Sequence, residues 1–198
     1  MTFIAKLKWV LGILLVFIII LATNLIDRHN FNRIHNSVVT IYEDRLIASD
    51  LILEVSRLLQ EKELAMYGAD SGFYAEESKN IDIKIEALLD RYDQTRLTLK
   101  EKKVYDALKQ DLVELRTAED AFVQSGFKNT GSLRPTFTSL KFNLKELSKI
   151  QLSEGSRQMG ISQKAIDSLE LFTHLEIYVL LLLAVLIQII VMYKPKQS

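Results

Sequence analysis

Residues 9–26 read WVLGILLVFIIILATNLI and residues 177–193 read IYVLLLLAVLIQIIVMY, and neither stretch contains a charged side chain. Both approach the length of about 20 residues at which an apolar helix spans a lipid bilayer. Trp9, Tyr178 and Tyr193 lie at the ends of these stretches, where aromatic side chains suit the membrane interface. The two stretches therefore predict two transmembrane helices rather than two buried core helices of a soluble protein.

The first stretch is expected to be an uncleaved anchor. Its apolar run is longer than the run of about 7–15 residues in a signal peptide, and no cleavage site of small residues follows it. The predicted domains are a cytoplasmic N-terminus (1–8), a transmembrane helix (9–26), an extracytoplasmic domain (27–176), a second transmembrane helix (177–193) and a cytoplasmic tail (194–198).

The basic residues beside the spans predict the orientation of the chain. Lys6 and Lys8 precede the first span, and Lys194 and Lys196 follow the second. Positive charge close to a span favours the cytoplasm, so both termini are expected inside, in a two-pass protein of the inner (cytoplasmic) membrane whose domain lies outside or in the periplasm. The segment 27–176 is mildly acidic, which gives no reason to expect a nucleic acid partner.

Composition and periodicity predict that the domain is all-α. The 198 residues include seven Gly, two Pro and no Cys, which favours long helices and excludes disulfides and cysteine chemistry. Apolar residues at helical spacing predict that the first membrane helix continues without a break to about residue 68, and that three further helices follow it. Thr98 and Glu101 form a capping box that marks the start of the third helix, and a loop is expected at 125–135.

The predicted architecture is an antiparallel up-down-up-down four-helix bundle, with helices one and four continuous with the membrane spans. The apolar stripes on which this prediction depends are Ile34, Val38, Ile41, Ala48, Ile52, Val55, Leu59 and Met66 in helix one, Ile81, Ile85, Leu88 and Tyr92 in helix two, Val104, Leu108, Leu112, Leu115 and Phe122 in helix three, and Phe137, Leu140, Leu144, Leu147, Ile161, Ala165, Phe172 and Leu175 in helix four. The inner helices are too short to reach the membrane, so each chain offers only a two-helix stalk there, around 27–42 and 161–176. Because two helices alone bury little surface, a parallel homodimer with a four-helix stalk is expected.

Short motifs within these helices resemble the four-helix-bundle sensory module of bacterial methyl-accepting chemotaxis receptors. They are IYEDRL (41–46), EKELAMYG (61–68) and LTLKEKK (97–103). The resemblance covers almost the whole chain and implies a membrane receptor with an external sensory domain. Receptors of this type continue beyond the second span into a linker bundle and a cytoplasmic coiled coil that controls a kinase, and the final residues KPKQS contain neither.

The sequence therefore predicts a chemoreceptor-like sensory protein that senses a small ligand or a partner and signals through another membrane protein. The alternative is a structural or accessory membrane protein that scaffolds an envelope complex without a small-molecule ligand. Neither interpretation requires an enzyme or a cofactor, because the sequence has no Ser-His-acid set, no Gly-rich phosphate loop and no His pair at metal-ligand spacing.

Arg45 and Lys62 fall on the apolar stripe of helix one, where a charge must be paired or must extend to solvent. The resemblance suggests that Arg45 binds an anionic ligand, because amino-acid receptors of this family use arginines on helix one, and a guanidinium suits carboxylates. Counting along both long helices instead places Arg45 level with Gln158 and about one turn from Glu154. In this second interpretation the three residues form a structural polar layer that sets the register of the helices.

Two histidines are expected at matching depth just outside the bilayer. They are His29 and His174, and they lie near Asp27 and Glu176. Four such groups would suit a metal ion or a pH sensor. Scattered histidines near a membrane interface are common without either role, so we predict no metal site.

Overall fold

The structure is a computed structural model that describes the backbone of residues 3–192, and within it the side chains of residues 11–186 and 188 except residue 13. The described residues contain no strand, so the predicted all-α class is confirmed. The predicted tail at 194–198 and Tyr193 lie outside the described residues, as do the side chains of Lys6, Lys8 and Trp9. The helices are α1 (Phe3–Thr40), a π-helical segment (Ile41–Leu46), α2 (Ile47–Gly68), a second π-helical segment (Phe73–Glu77), α3 (Ser78–Asp93), α4 (Leu99–Gln124) and α5 (Leu133–Met192).

The contacts divide the chain into two compact units. Val39–Gln158 form one of them, which we call the bundle unit. Met1–Val38 and Met159–Ser198 form the other, which we call the two-helix unit.

The predicted apolar stripes supply the core of the bundle unit. Buried positions among them are Ala48, Ile52, Val55, Leu59, Met66, Ile81, Ile85, Tyr92, Leu108, Leu112, Leu115, Phe122, Phe137, Leu140, Leu144 and Leu147. Because residues from all four predicted helices join one hydrophobic cluster, the bundle unit has a shared core. Full burial of each large aliphatic side chain contributes about 1.5–3 kcal/mol.

The first helix differs from the prediction at one point. It is helical from Phe3 to Gly68, but residues Ile41–Leu46 are π-helical rather than α-helical. The amide of Ile47 donates to the carbonyl of Tyr42, five residues back instead of four. Apolar spacing gave no sign of this segment, because a single wide turn displaces the stripe by only about one residue.

The loop before the last helix is shorter than predicted. α5 begins at Leu133, so Pro135 lies inside its first turn, where the missing amide has no helical partner to lose. Gly126 (φ 67°) and Phe127 (φ 64°) turn the chain after α4 through the left-handed region, which a glycine adopts without strain. The Phe127 ring then packs 5.4 Å from Phe122.

The two-helix unit exposes most of its apolar side chains. Two helices, Leu14–Gly68 and Leu133–Leu186, contain a window long and apolar enough to cross a membrane, judged by length and composition. These windows are only 11% and 0% buried. Val38 and Leu175, both on predicted stripes, are 55% and 46% exposed in the single chain.

Candidate functional site: a buried arginine layer

Arg45 lies in the first π-helical segment of the bundle unit, within the IYEDRL motif. Its side chain is turned into the bundle and the residue is only 6% exposed. π-helical turns occur frequently at functional sites, because the wide turn aims a side chain that a regular helix would place elsewhere. This segment is therefore the starting point for the site.

The guanidinium of Arg45 binds three other parts of the bundle unit. Nη1 donates to Oε2 of Glu101 on α4 and to Oε1 of Gln151 on α5, both at 3.0 Å. Nη2 donates to the backbone carbonyl of Arg96, between α3 and α4, at 2.6 Å. Nε has no partner among the described residues. Since Asp44 also accepts a hydrogen bond from the amide of Arg96 at 3.0 Å, two adjacent residues hold the α3–α4 connection to the first helix.

Glu101 uses both of its carboxylate oxygens. Oε2 accepts from Arg45 and, at 3.1 Å, from the backbone amide of Thr98. Oε1 accepts from the hydroxyl of Tyr92 at 2.7 Å and from Nε2 of Gln151. The predicted capping box is thus confirmed, and its carboxylate, on a residue that is 0% exposed, also serves as the counter-ion of the buried Arg45.

Tyr92 completes the network as a neutral donor. Burial raises the pKa of the Tyr92 hydroxyl, and the hydrogen bond to Glu101 and the charge of that carboxylate raise it further. The hydroxyl therefore keeps its proton and donates to Glu101, while Gln151 Nε2 donates to it at 2.9 Å.

Removing one member of a buried charge pair such as Arg45 and Glu101 typically costs about 3–5 kcal/mol, because the other charge remains without compensation.

The residues that bind Arg45 differ from the predicted partners. Glu154 accepts from Arg157 on its own helix at 2.8 Å, and Gln158 is half-buried. Counting along the long helices compares backbone heights only, whereas a buried guanidinium pairs with the carboxylate that its donors can reach. Glu101 carried a usable signal, because a capping-box carboxylate can accept further hydrogen bonds beyond the one from the N-cap amide.

Lys62, the other charge on the predicted stripe, lies in a second polar cluster of the bundle unit. It is 0% exposed, and its Nζ lies 2.7 Å from Oε2 of Glu119 on α4 and 2.7 Å from Oδ1 of Asp82 on α3. Nζ also donates to the hydroxyl of Ser78 at 3.1 Å. Each predicted stripe charge is therefore paired inside the bundle unit.

The two histidines that were predicted to lie beside the bilayer are on the surface of the two-helix unit. His29 and His174 are exposed, and Asp27 and Glu176 are half-buried. Among the residues that the structure describes, no group of three or more His, Cys, Asp or Glu side chains is arranged to hold a metal ion.

A comparison with protein families identifies the bundle. The model of the four-helix-bundle sensory module for signal transduction matches residues 1–166. The chain belongs to this family. Neither the search of curated proteins nor the search of solved structures gave a match.

The family match includes every residue of both polar clusters. Two of the motifs that carry the resemblance to this family meet in the arginine layer. Arg45 belongs to IYEDRL (41–46) and Glu101 to LTLKEKK (97–103), and their side chains form one buried ion pair. In this member of the sensory-module family, the two motifs together link the first helix to α4 through this ion pair.

Proposed function

We propose that the chain is a membrane-bound, chemoreceptor-like sensor whose extracytoplasmic bundle responds to a small ligand or a partner and passes its state to another membrane protein. The observation that carries the proposal is the match of the sensory-module family over residues 1–166. A module for signal transduction needs a receiver, and we place this receiver in the same membrane, in contact with the bundle or its helices.

The exposed apolar surface of the two-helix unit supports the membrane assignment. A buried core helix of a soluble protein would hide its apolar window, yet the two windows here are 11% and 0% buried. Large exposed side chains include Leu14, Leu15, Phe17, Ile18 and Leu21 on α1, and Leu180, Leu181, Leu182, Val185 and Leu186 on α5. So much contiguous apolar surface is unfavourable in water and suits lipid.

The spans, sides and domain limits follow the basic residues. We propose that 9–26 and 177–193 cross the inner membrane, that 1–8 and 194–198 are cytoplasmic, and that 27–176 form the sensory domain outside or in the periplasm. A C-terminal reporter that is active only in the cytoplasm should work, and the same reporter inserted at 125–132 should not. The opposite result would reverse the orientation.

Ion pairs and one hydrogen bond between helices of the bundle unit support an up-down-up-down topology. On α3 and α4, Asp82 lies near Arg116 and Asp93 near Lys109, so residue numbers rise on one helix as they fall on the other. The pairs Arg45–Gln151 and Glu63–Lys141 give the same antiparallel relation between the first helix and α5. The pairs Arg45–Glu101 and Lys62–Glu119 run parallel, as expected for helices one and three of such a bundle.

Exposed apolar residues on the first helix support a homodimer. The largest of them in the bundle unit are Tyr42, Leu46, Leu53, Leu64 and Tyr67, each at least 58% exposed. They recur at steps close to multiples of three and four, so they lie along one face of the helix. A second copy of the chain would cover this face, and cysteines placed at Leu46 or Leu53 should cross-link in membranes, whereas one at the exposed Glu114 of α4 should cross-link less.

We propose that Arg45 is a structural residue of the sensor rather than its ligand contact. Its burial and its bonds to Glu101, Gln151 and the carbonyl of Arg96 support this assignment. An anion would have to displace Glu101 and leave that carboxylate buried without its counter-ion.

The experiment that tests the function is a thermal-shift screen of the full chain, purified in a mild detergent, with amino acids and small anions. A ligand that binds the folded state raises the melting temperature according to RT ln(1 + [L]/Kd). A stabilising compound that still acts on Arg45→Ala supports both the sensor and the structural role of Arg45. A defined protein partner that co-purifies, with no compound effect, would instead favour the scaffolding alternative.

A further inference from the structure

Glu119 lies in the Lys62 cluster, which the proposed role of Arg45 does not involve. The residue is 5% exposed, and its Oε2 accepts from Lys62 Nζ at 2.7 Å. Its second oxygen, Oε1, is buried and has no hydrogen-bond partner among the described residues. A buried carboxylate with an unsatisfied oxygen is expensive in its ionised form. Glu119 is thus a group whose surroundings favour the binding of a proton.

The charges on the helices packed against Glu119 leave a surplus of negative charge. Lys62 on α2 is shared between Glu119 and Asp82 of α3, and both oxygens lie 2.7 Å from its Nζ. Arg116 offsets Asp82 only in part, at 3.8 Å and with its own side chain 40% exposed. Asp120, the next residue on α4, adds a further negative charge beside Glu119. One buried ammonium therefore faces two carboxylates.

The remaining neighbours do not relieve this surplus. Tyr74, in the π-helical segment Phe73–Glu77, has a buried hydroxyl without a partner, and its ring lies 5.6 Å from Phe122 on α4. Burial and the charge of Glu119 raise the pKa of Tyr74, so this hydroxyl stays neutral. From α5, the buried side chains of the first turns are the apolar Leu133 and Phe137.

We propose that Glu119 is a proton-binding site of the bundle, and that its protonation leaves Lys62 paired with Asp82 alone. The proton comes from solvent and binds to the carboxylate, and no other covalent bond changes. Two negative charges facing one positive charge become one of each. Because Lys62, Asp82 and Glu119 lie on α2, α3 and α4, the change alters the attraction among three helices.

The direction of the pH effect follows from the environment of the folded state. Burial, with the charges of Asp82 and Asp120, holds the pKa of Glu119 above the 4.5 of a free carboxyl, and Lys62 opposes the shift. The folded chain therefore binds this proton more readily than the unfolded chain does. The stability contributed by Glu119 is fully present below the free-carboxyl pKa and is lost as the pH rises through the raised pKa. Acidification thus favours the folded bundle at this position.

Carbon-13 NMR of glutamate carboxyls in the full chain, in detergent, tests the proposal directly. The Glu119 signal, assigned by its loss in Glu119→Gln, should titrate above the value of 4.5 for a free carboxyl. Asp82→Asn should move that titration to lower pH, because it removes a nearby negative charge and leaves Lys62 to Glu119. A Glu119 titration no higher than that of a free carboxyl, or one that Asp82→Asn does not move, would overturn the proposal.

A second measurement does not depend on signal assignment. The melting temperature of the parent should fall by about 3 °C relative to Glu119→Gln between pH 5 and pH 7.5, while Glu114→Gln should track the parent. If Glu119→Gln does not fold, Asp82→Asn, whose site is partly exposed, supplies the comparison through a weaker pH dependence than that of the parent. A pH dependence identical in parent and variants would also contradict the proposal.

That this proton is a sensory input rests on the proposed function, and it has a separate readout. Cross-linking between chains through a cysteine at Val38 should change in membranes as the external pH falls, and Glu119→Gln should remove the change. A normal Glu119 titration with unchanged cross-linking would contradict the sensory input and leave the proton site in place.

Discussion

The two buried cations of the bundle unit differ in how completely their counter-ions are satisfied. Arg45 is 6% exposed and Lys62 is 0% exposed, and both bind a glutamate of α4. Glu101, the partner of Arg45, has hydrogen bonds to both oxygens. Glu119, the partner of Lys62, has one buried oxygen without a partner. The carboxylate of the ion pair is therefore hydrogen-bonded at both oxygens in one layer and at only one oxygen in the other.

The difference means that the Arg45 layer has a fixed set of interactions, whereas the Lys62 cluster can respond to a proton. A guanidinium does not lose its proton in proteins, and both oxygens of Glu101 accept hydrogen bonds, so the Arg45 layer has no carboxylate oxygen without a partner. The Lys62 cluster has two carboxylates for one ammonium, and a proton on Glu119 relieves the excess charge. Because the layers lie 17 positions apart on the first helix, about 25 Å at 1.5 Å per residue, mutations at each can be compared independently.

The largest effect on stability is expected at the Arg45 layer. Arg45→Ala leaves Glu101 buried without its counter-ion, so the free energy of unfolding should fall by about 3–5 kcal/mol. Chemical denaturation of the full chain measures this loss. Arg157→Ala, at an exposed position of α5 where the arginine pairs with Glu154 of the same helix, is the matched control and should change stability little. Equal losses in the two variants would remove the distinction between a buried layer and a surface pair.

A smaller and pH-dependent effect on stability is expected at the Lys62 cluster. Lys62→Met removes the charge that lowers the pKa of Glu119, so this carboxyl takes up a proton instead of remaining buried and ionised. The loss in unfolding free energy should be about 3 kcal/mol near pH 7.5 and should shrink as the pH falls toward 5. A penalty for Lys62→Met that stays constant over this pH range would contradict the proposed protonation of Glu119.

The smallest of these effects concerns the N-terminal cap of α4, which supports the Arg45 layer. Thr98→Ala removes the hydroxyl that accepts from the amide of Glu101 at 3.2 Å, and loss of an N-cap typically costs about 1 kcal/mol. Thr117→Ala on the exposed face of α4 is the control, since its hydroxyl only bonds the carbonyl of Val113 in the same helix. Denaturation midpoints of the two variants give the comparison, and equal midpoints would mean that the cap does not stabilise this layer.

Much of the fold was predictable because apolar periodicity and capping chemistry are local. The stripes around Ile52, Leu108 and Leu144 are buried as predicted, and the capping box of Thr98 and Glu101 forms as predicted. The predicted loop at 125–135 extends into α5, which begins at Leu133, because a proline such as Pro135 fits the end of a loop and the first turn of a helix equally well.

The partners in the site were harder to predict because they are set by reach across the bundle. Sequence spacing identified Arg45 and Lys62 as charges on an apolar stripe, and both are buried. It did not identify Glu101 or Glu119 as their counter-ions, since these lie on another helix more than 50 positions away. The π-helical turn that carries Arg45 has no apolar signature, so the aim of its side chain required the three-dimensional structure.

The most direct test of the arginine layer is a double-mutant cycle of Arg45→Met and Glu101→Gln, measured by chemical denaturation of the full chain without added ligand. Glutamine at position 101 can keep the capping box, so the cycle isolates the charge pair. We predict that each single variant is destabilised, and that the double variant regains stability with a coupling energy of about 2 kcal/mol. Additive effects, together with an Arg45→Met variant as stable as the parent, would contradict the structural role and favour Arg45 as a site for an anionic ligand.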